Sequence, residues 1–106
     1  MSYYVYFIQP EGKGNRPVKI GYSKNPESRC RNLQTSNPRK LKICVKLPFD
    51  SESLAREAEQ TFQWLAGKKH RSLEGEWFII YGSWKKFISQ AMKIYDGNQR
   101  KKTRPI

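Results

Sequence analysis

Cysteine is scarce in this chain and has no pattern. Cys30 and Cys44 stand apart without a C-x-x-C pair, which leaves neither a zinc site nor a disulfide framework. Two free thiols in a reducing compartment, each packed as a small core residue, are expected. Histidine is scarcer still: His70 is the single imidazole, in a basic loop, and reads as a surface residue. No apolar run approaches the roughly 20 residues that span a bilayer. Met1-Ser2 leads directly into strand-like sequence, with no signal-peptide pattern, so a cytoplasmic protein outside the membrane is expected. Acidic residues are few, nine against 21 basic ones, and the formal charge is +12. Arg100, Lys101, Lys102 and Arg104 supply only four of those cations, so the folded part is itself basic. A polyanionic partner follows, DNA or RNA ahead of an anionic membrane.

Aromatic residues, by contrast, are plentiful, enough for a modest core in one domain of 106 residues. Residues 3–9 (YYVYFIQ) and 18–23 (VKIGYS) read as two strands joined by the Gly- and Pro-rich segment 10–17. Strand alternation puts Val18, Ile20 and Tyr22 on one face and Lys19, Gly21 and Ser23 on the other. Tyr3, Val5 and Phe7 join the first, core face, which sets Tyr4, Tyr6 and Ile8 beside Lys19. Asn25-Pro26-Glu27 starts a helix to about Thr35, with an Asn cap and Pro at its first position. Arg29 lies one turn in. Leu41–Leu47 alternates as a third strand, apolar on one face and basic on the other, with Lys42 and Lys46 on the basic side. Ser51 or Asp50 caps a second helix to about Ala66, and His70–Glu74 is a loop. Residues 76–80 are short and extended, with Trp77 packing inward. A third helix runs from about Ser83 to Tyr95 and stops at Gly97. The predicted architecture is a small α/β (α+β) domain, 1–96, with a three-stranded antiparallel sheet flanked by helices in the order β-β-α-β-α-α, followed by a basic tail, 97–106.

Three segments in this order carry a resemblance. Tyr4-Val5-Tyr6, Lys19-Ile20-Gly21, and Arg29 eight positions later are similar to the motifs of the GIY-YIG endonuclease superfamily. More narrowly they resemble its small bacterial and phage branch, whose second motif reads K-I-G. Ser23-x-Asn25-Pro26, Leu33-Gln34-Thr35 and Gly75-Glu76-Trp77-Phe78 extend the likeness over most of the folded chain. The resemblance implies phosphodiester cleavage with one divalent cation, Mg²⁺ or Mn²⁺, held by a glutamate on the helix after the third strand. That helix offers Glu57 and Glu59, which flank its apolar stripe at comparable angles. The family's placement of its glutamate four positions before a frequent histidine selects Glu59, with Gln63 in the histidine's place.

The residue chemistry is consistent with that implication. Arg29, always charged and fork-shaped, suits a phosphate gathering negative charge. Tyr6, as the resemblance implies, serves as general base or positions the attacking water. A free phenol has a pKa near ~10, too high for an efficient base at neutral pH. Lys19 on the same face is expected to lower it and so to join Tyr6 and Arg29 as a catalytic residue. Arg31, Lys42 and Lys46 are the candidate nucleic-acid contacts. The other reading is a catalytically silent nucleic-acid-binding module on the same fold. No separate recognition domain is visible, so specificity would need a homodimer or a protein partner.

Overall fold

The first hairpin sorts its side chains as the alternation predicts. In the computed structural model, which describes residues 2–103, strand β1 (Tyr3–Pro10) pairs antiparallel with β2 (Val18–Ser23), Tyr6 opposite Gly21 and Phe7 opposite Ile20. Helix α1 (Pro26–Gln34) follows. The Asn25 side chain accepts from the Ser28 N–H at 3.1 Å, a cap worth about 1 kcal/mol. Next come β3 (Leu41–Phe49), α2 (Glu52–Lys69, capped by Ser51), β4 (Arg71–Ser72), β5 (Trp77–Ile79) and α3 (Trp84–Thr103).

The sheet has five strands, in the order β3-β1-β2-β5-β4, not the expected three. β4 and β5 form a short hairpin on the outer side of β2. The two residues of β4 are exposed and too few to show any alternation, so the sequence reads there as loop. β5 reaches β2 only at Val18 and Lys19. Beyond them the outer edge of β2 is free of strand partners among the described residues, and candidate site residues gather there.

Two cores lie on the two faces. On one, Val5, Phe7, Val18 and Ile20 meet Ala58, Phe62 and Leu65 of α2 and Phe87, Ala91 and Tyr95 of α3. Phe7 packs edge-on to Phe62 at 5.6 Å and to Trp84 at 5.5 Å, favourable aromatic geometry. On the other face Tyr6, Ile8 and Leu41 meet Cys30 and Leu33 of α1 and Ile43 of β3. In β5 it is Phe78 that is buried, 5% exposed, whereas Trp77 lies beneath the Lys19 ammonium. Trp77 therefore does not take the inward role expected of it.

β3 departs from simple alternation. Phe7 pairs with Val45 but Ile8 with Ile43, so Cys44 is an extra residue, a β-bulge. The bulge switches faces within one apolar series. Leu41 and Ile43 belong to the α1 core, while Val45, Leu47 and Phe49 pack on the α2–α3 core. Lys42 and Lys46 pair with Gln9 and Tyr6, residues of opposite faces, so the single basic face expected for β3 does not form. Cys44 itself is exposed and not a core residue, whereas Cys30 is partly buried and packs on the α1-side core; both are free thiols.

The third helix does not stop at Gly97. It continues to Thr103. An interior glycine costs about 1 kcal/mol, and the last turns are tied to α2 by Gln99 and Lys102, which both donate to the Glu57 carboxylate. Of the predicted tail, residues 97–103 are therefore helical, and Arg104 lies outside the described residues.

Candidate active site at the open edge of the second strand

Tyr6 and Gly21 face each other across the first hairpin. The phenol is 1% exposed and lies directly over the glycine: a Cβ at position 21 would sit 2.5 Å from the ring carbon Cζ. No side chain fits there, which is the physical reason for glycine in Lys19-Ile20-Gly21. From α1 the exposed Arg29 reaches the same phenol and donates a hydrogen bond to it. The helix cap at Asn25 fixes where α1 begins, and with it the position of Arg29 one turn later. Tyr6 and Arg29, predicted from separate segments, are thus brought together.

Glu59 comes from the opposite layer. α2 packs on the far face of the sheet from α1, yet two of its side chains, four residues apart, reach the free edge of β2. Gln63 Nε2 donates to the Ile20 carbonyl at 2.8 Å. The Glu59 carboxylate accepts from the Tyr22 N–H. These contacts satisfy edge groups that β5 is too short to pair. They also bring the Glu59 carboxylate close enough to bear electrostatically on Tyr6. Glu57, the other candidate, points away and is engaged by Gln99 and Lys102.

Glu76, named from the sequence only as part of Gly75-Glu76-Trp77-Phe78 and given no role in the site, stands beside Glu59. It precedes β5, and its carbonyl accepts from the Ile20 N–H at 3.2 Å. Its carboxylate lies 3.5 Å from Lys19 Nζ. Burial first, then the Glu76 charge, push Glu59 up to about 7; the Tyr22 N–H and Lys19 offset this only in part. The signal that could have found Glu76 was its place next to β5, had that strand been paired with β2.

Lys19 does not act as expected on Tyr6. Burial raises the phenol above its ordinary value; the Arg29 hydrogen bond and charge pull it back without prevailing, and Glu76 and Glu59 push it further up. Lys19 is 12% exposed and turned to Glu76 and the Trp77 ring, 5.7 Å from its centroid. Its charge faces Glu76 and also bears on Glu59.

Glu59 and Glu76 are the carboxylates that could hold a cation here. Among the described residues no group of three or more His, Cys, Asp or Glu side chains comes together. Mg²⁺ needs no such cage, since one or two carboxylates with waters and substrate phosphate complete its shell. Glu59 is raised in part by the neighbouring Glu76 charge, so the two carboxylates form a site whose negative charge a divalent ion would relieve, and the residues present fit such an ion.

The predicted binding residues are dispersed. Arg31 and Lys42 line a groove of about 310 Å³ between α1 and the outer strand β3. Lys46 pairs with Glu27 at 3.2 Å and lies over the Tyr4 ring at 4.6 Å.

A central antiparallel sheet with helices on both faces, and a tyrosine and an arginine converging over a glycine, define a fold of the GIY-YIG-like nuclease kind. The chain belongs to the T5orf172 domain family, whose model matches residues 3–95, and through that family it is linked to the GIY-YIG-like nuclease superfamily. No protein of curated function and no solved structure matches it significantly. Among the described residues no helix is long and apolar enough to cross a membrane.

Proposed function

We propose that the protein is a metal-dependent endonuclease that hydrolyses DNA phosphodiester bonds through a single GIY-YIG-type site, in the small bacterial and phage branch with a K-I-G second motif. The observation that carries this reading is the meeting of Tyr6, Arg29 and Glu59 at the open edge of β2 from three separate elements. Arg29 would bind the scissile phosphate and stabilise its growing charge. Tyr6, held by Gly21 and Arg29, would orient the attacking water or take its proton. Glu59, with Glu76 beside it, would hold Mg²⁺ or Mn²⁺; a bound ion polarises the phosphate and stabilises the leaving oxygen. Arg31, Lys42 and Lys46 would contact the flanking backbone. DNA is the expected substrate and RNA the alternative, in a cytoplasmic setting; specificity would come from a second copy or a protein partner.

One observation favours the second reading, binding without turnover. A buried phenol raised above its ordinary value is a poor base at neutral pH. Plasmid nicking in Mg²⁺ or Mn²⁺ separates the two. Nicking by the native chain that is lost in Arg29→Ala and Glu59→Gln supports the enzyme. Plasmid binding with no nicking in either metal supports the module.

A further inference from the structure

A second basic surface lies across the molecule from α1. Lys86, Gln90 and Lys93 recur at helical spacing on α3, within about 60° of one another at 100° per residue. With Lys69 at the end of α2 they rim a groove of about 830 Å³ between α2 and α3. A shallower hollow beside it, about 390 Å³, is lined by lysine, serine and glutamine alone. No acidic side chain lines either surface. The ion pairs among the described residues involve Lys19, Lys46 and Lys102, so Lys86 and Lys93 are not held in one.

The groove also holds an aromatic platform. Tyr81 is 45% exposed, one of two large hydrophobic side chains so open to solvent among the described residues. Its ring stacks on His70 at 6.2 Å, and its N–H donates to His70 Nδ1 at 3.0 Å. His70 is fixed from its other side by Phe87, edge-on at 5.3 Å. The platform is thus pre-organised, with cations around it and no anions.

We infer that this groove is a second nucleic-acid contact, which holds a single strand with its phosphates on Lys69, Lys86 and Lys93 and a base stacked on Tyr81. The inference rests on the nucleic-acid reading of the site above. A single strand is favoured over a duplex because an exposed ring can stack only on an unpaired base. Nucleic acid is favoured over an acidic polypeptide for the same reason, since an acidic chain would use the lysines and leave Tyr81 idle.

The test uses the full chain in EDTA, where nicking is absent, so that binding here and catalysis at Arg29 fail separately. Anisotropy of a labelled 12-nucleotide oligo-dT is followed from 50 to 200 mM salt. Each lost phosphate contact on a single strand lowers the slope of log affinity against log salt by about 0.7. The Lys86→Ala/Lys93→Ala double variant should therefore lose about 1.4 from the slope. Tyr81→Ala should weaken binding about tenfold while Tyr81→Phe retains it, each variant keeping the native far-ultraviolet circular dichroism. Unchanged slope and affinity in these variants overturn the inference. So does equal affinity for a duplex with no effect of Tyr81→Ala, and so does displacement by a polyglutamate peptide that proves equally blind to Tyr81.

Discussion

The Tyr6 phenol occupies the space that a side chain at position 21 would need. Each residue therefore sets the terms for the other: the ring is held because the glycine is bare. Gly21→Ala should push the ring from its place and cost about 1–3 kcal/mol by overpacking. A lower urea midpoint together with loss of nicking would show both effects. An unchanged midpoint would mean that the hairpin yields more easily than a packed sheet should.

Glu59 gives stability an unusual pH dependence. Its folded value of about 7 lies above its ordinary 4.5, so the folded chain binds more protons than the unfolded one in between. Stability from this group is complete below pH 4.5 and is lost as pH rises through 7. Screening of this half-exposed group reduces the effect to roughly 1–2 kcal/mol. Glu59→Gln should remove that slope from urea midpoints measured between pH 4.5 and 8.

The same protonation opposes a cation. Mn²⁺ affinity should rise as pH passes 7, with proton release seen as a buffer-dependent heat in titration calorimetry. An affinity flat across that window, or heats independent of the buffer, would remove Glu59 from the ion's ligands.

Lys19 now carries a different expectation from that of activating Tyr6. Removing it in Lys19→Met leaves Glu59 and Glu76 unbalanced, so Mn²⁺ should bind several-fold more tightly at pH 8. The pH midpoint for metal binding should move upward in the same variant. Weaker binding, or no change, would exclude a charge-balancing role.

Glu27 holds Lys46 at the surface. An exposed pair of this kind adds little stability, so Glu27→Ala should leave the melting temperature unchanged. By freeing Lys46 it should tighten DNA binding and steepen the salt dependence by about 0.9 for one added duplex phosphate contact.

Local chemistry made most of the chain legible. The Asn25-Pro26 cap, the start of α2 at Asp50 or Ser51 and the parity of Tyr6 with Lys19 are written in adjacent residues; the structure keeps the first and third and chooses Ser51 for the second. What could not be read depends on partners distant in sequence. A bulge at Cys44 leaves apolar alternation intact from Leu41 to Phe49 while reversing the faces midway. The two-residue β4 has no pattern to find. Gly97 looks like a stop until Glu57, forty residues earlier, is known to receive Gln99 and Lys102. The same holds at the site: Tyr6, Arg29 and Glu59 came from motif order, whereas Glu76 and the true neighbours of Lys19 depend on how little of β2 is covered by β5.

The extra residue at Cys44 also makes the length of β3 matter more than its composition. Removing Cys44 would restore an unbroken pleat, and the strand could then serve only one layer. Either Leu41 and Ile43 would swing away from α1, loosening the support beneath Tyr6, or Val45, Leu47 and Phe49 would leave the helices on the far side. Conservative exchanges along the strand should be absorbed. A one-residue deletion should uncouple the two layers altogether.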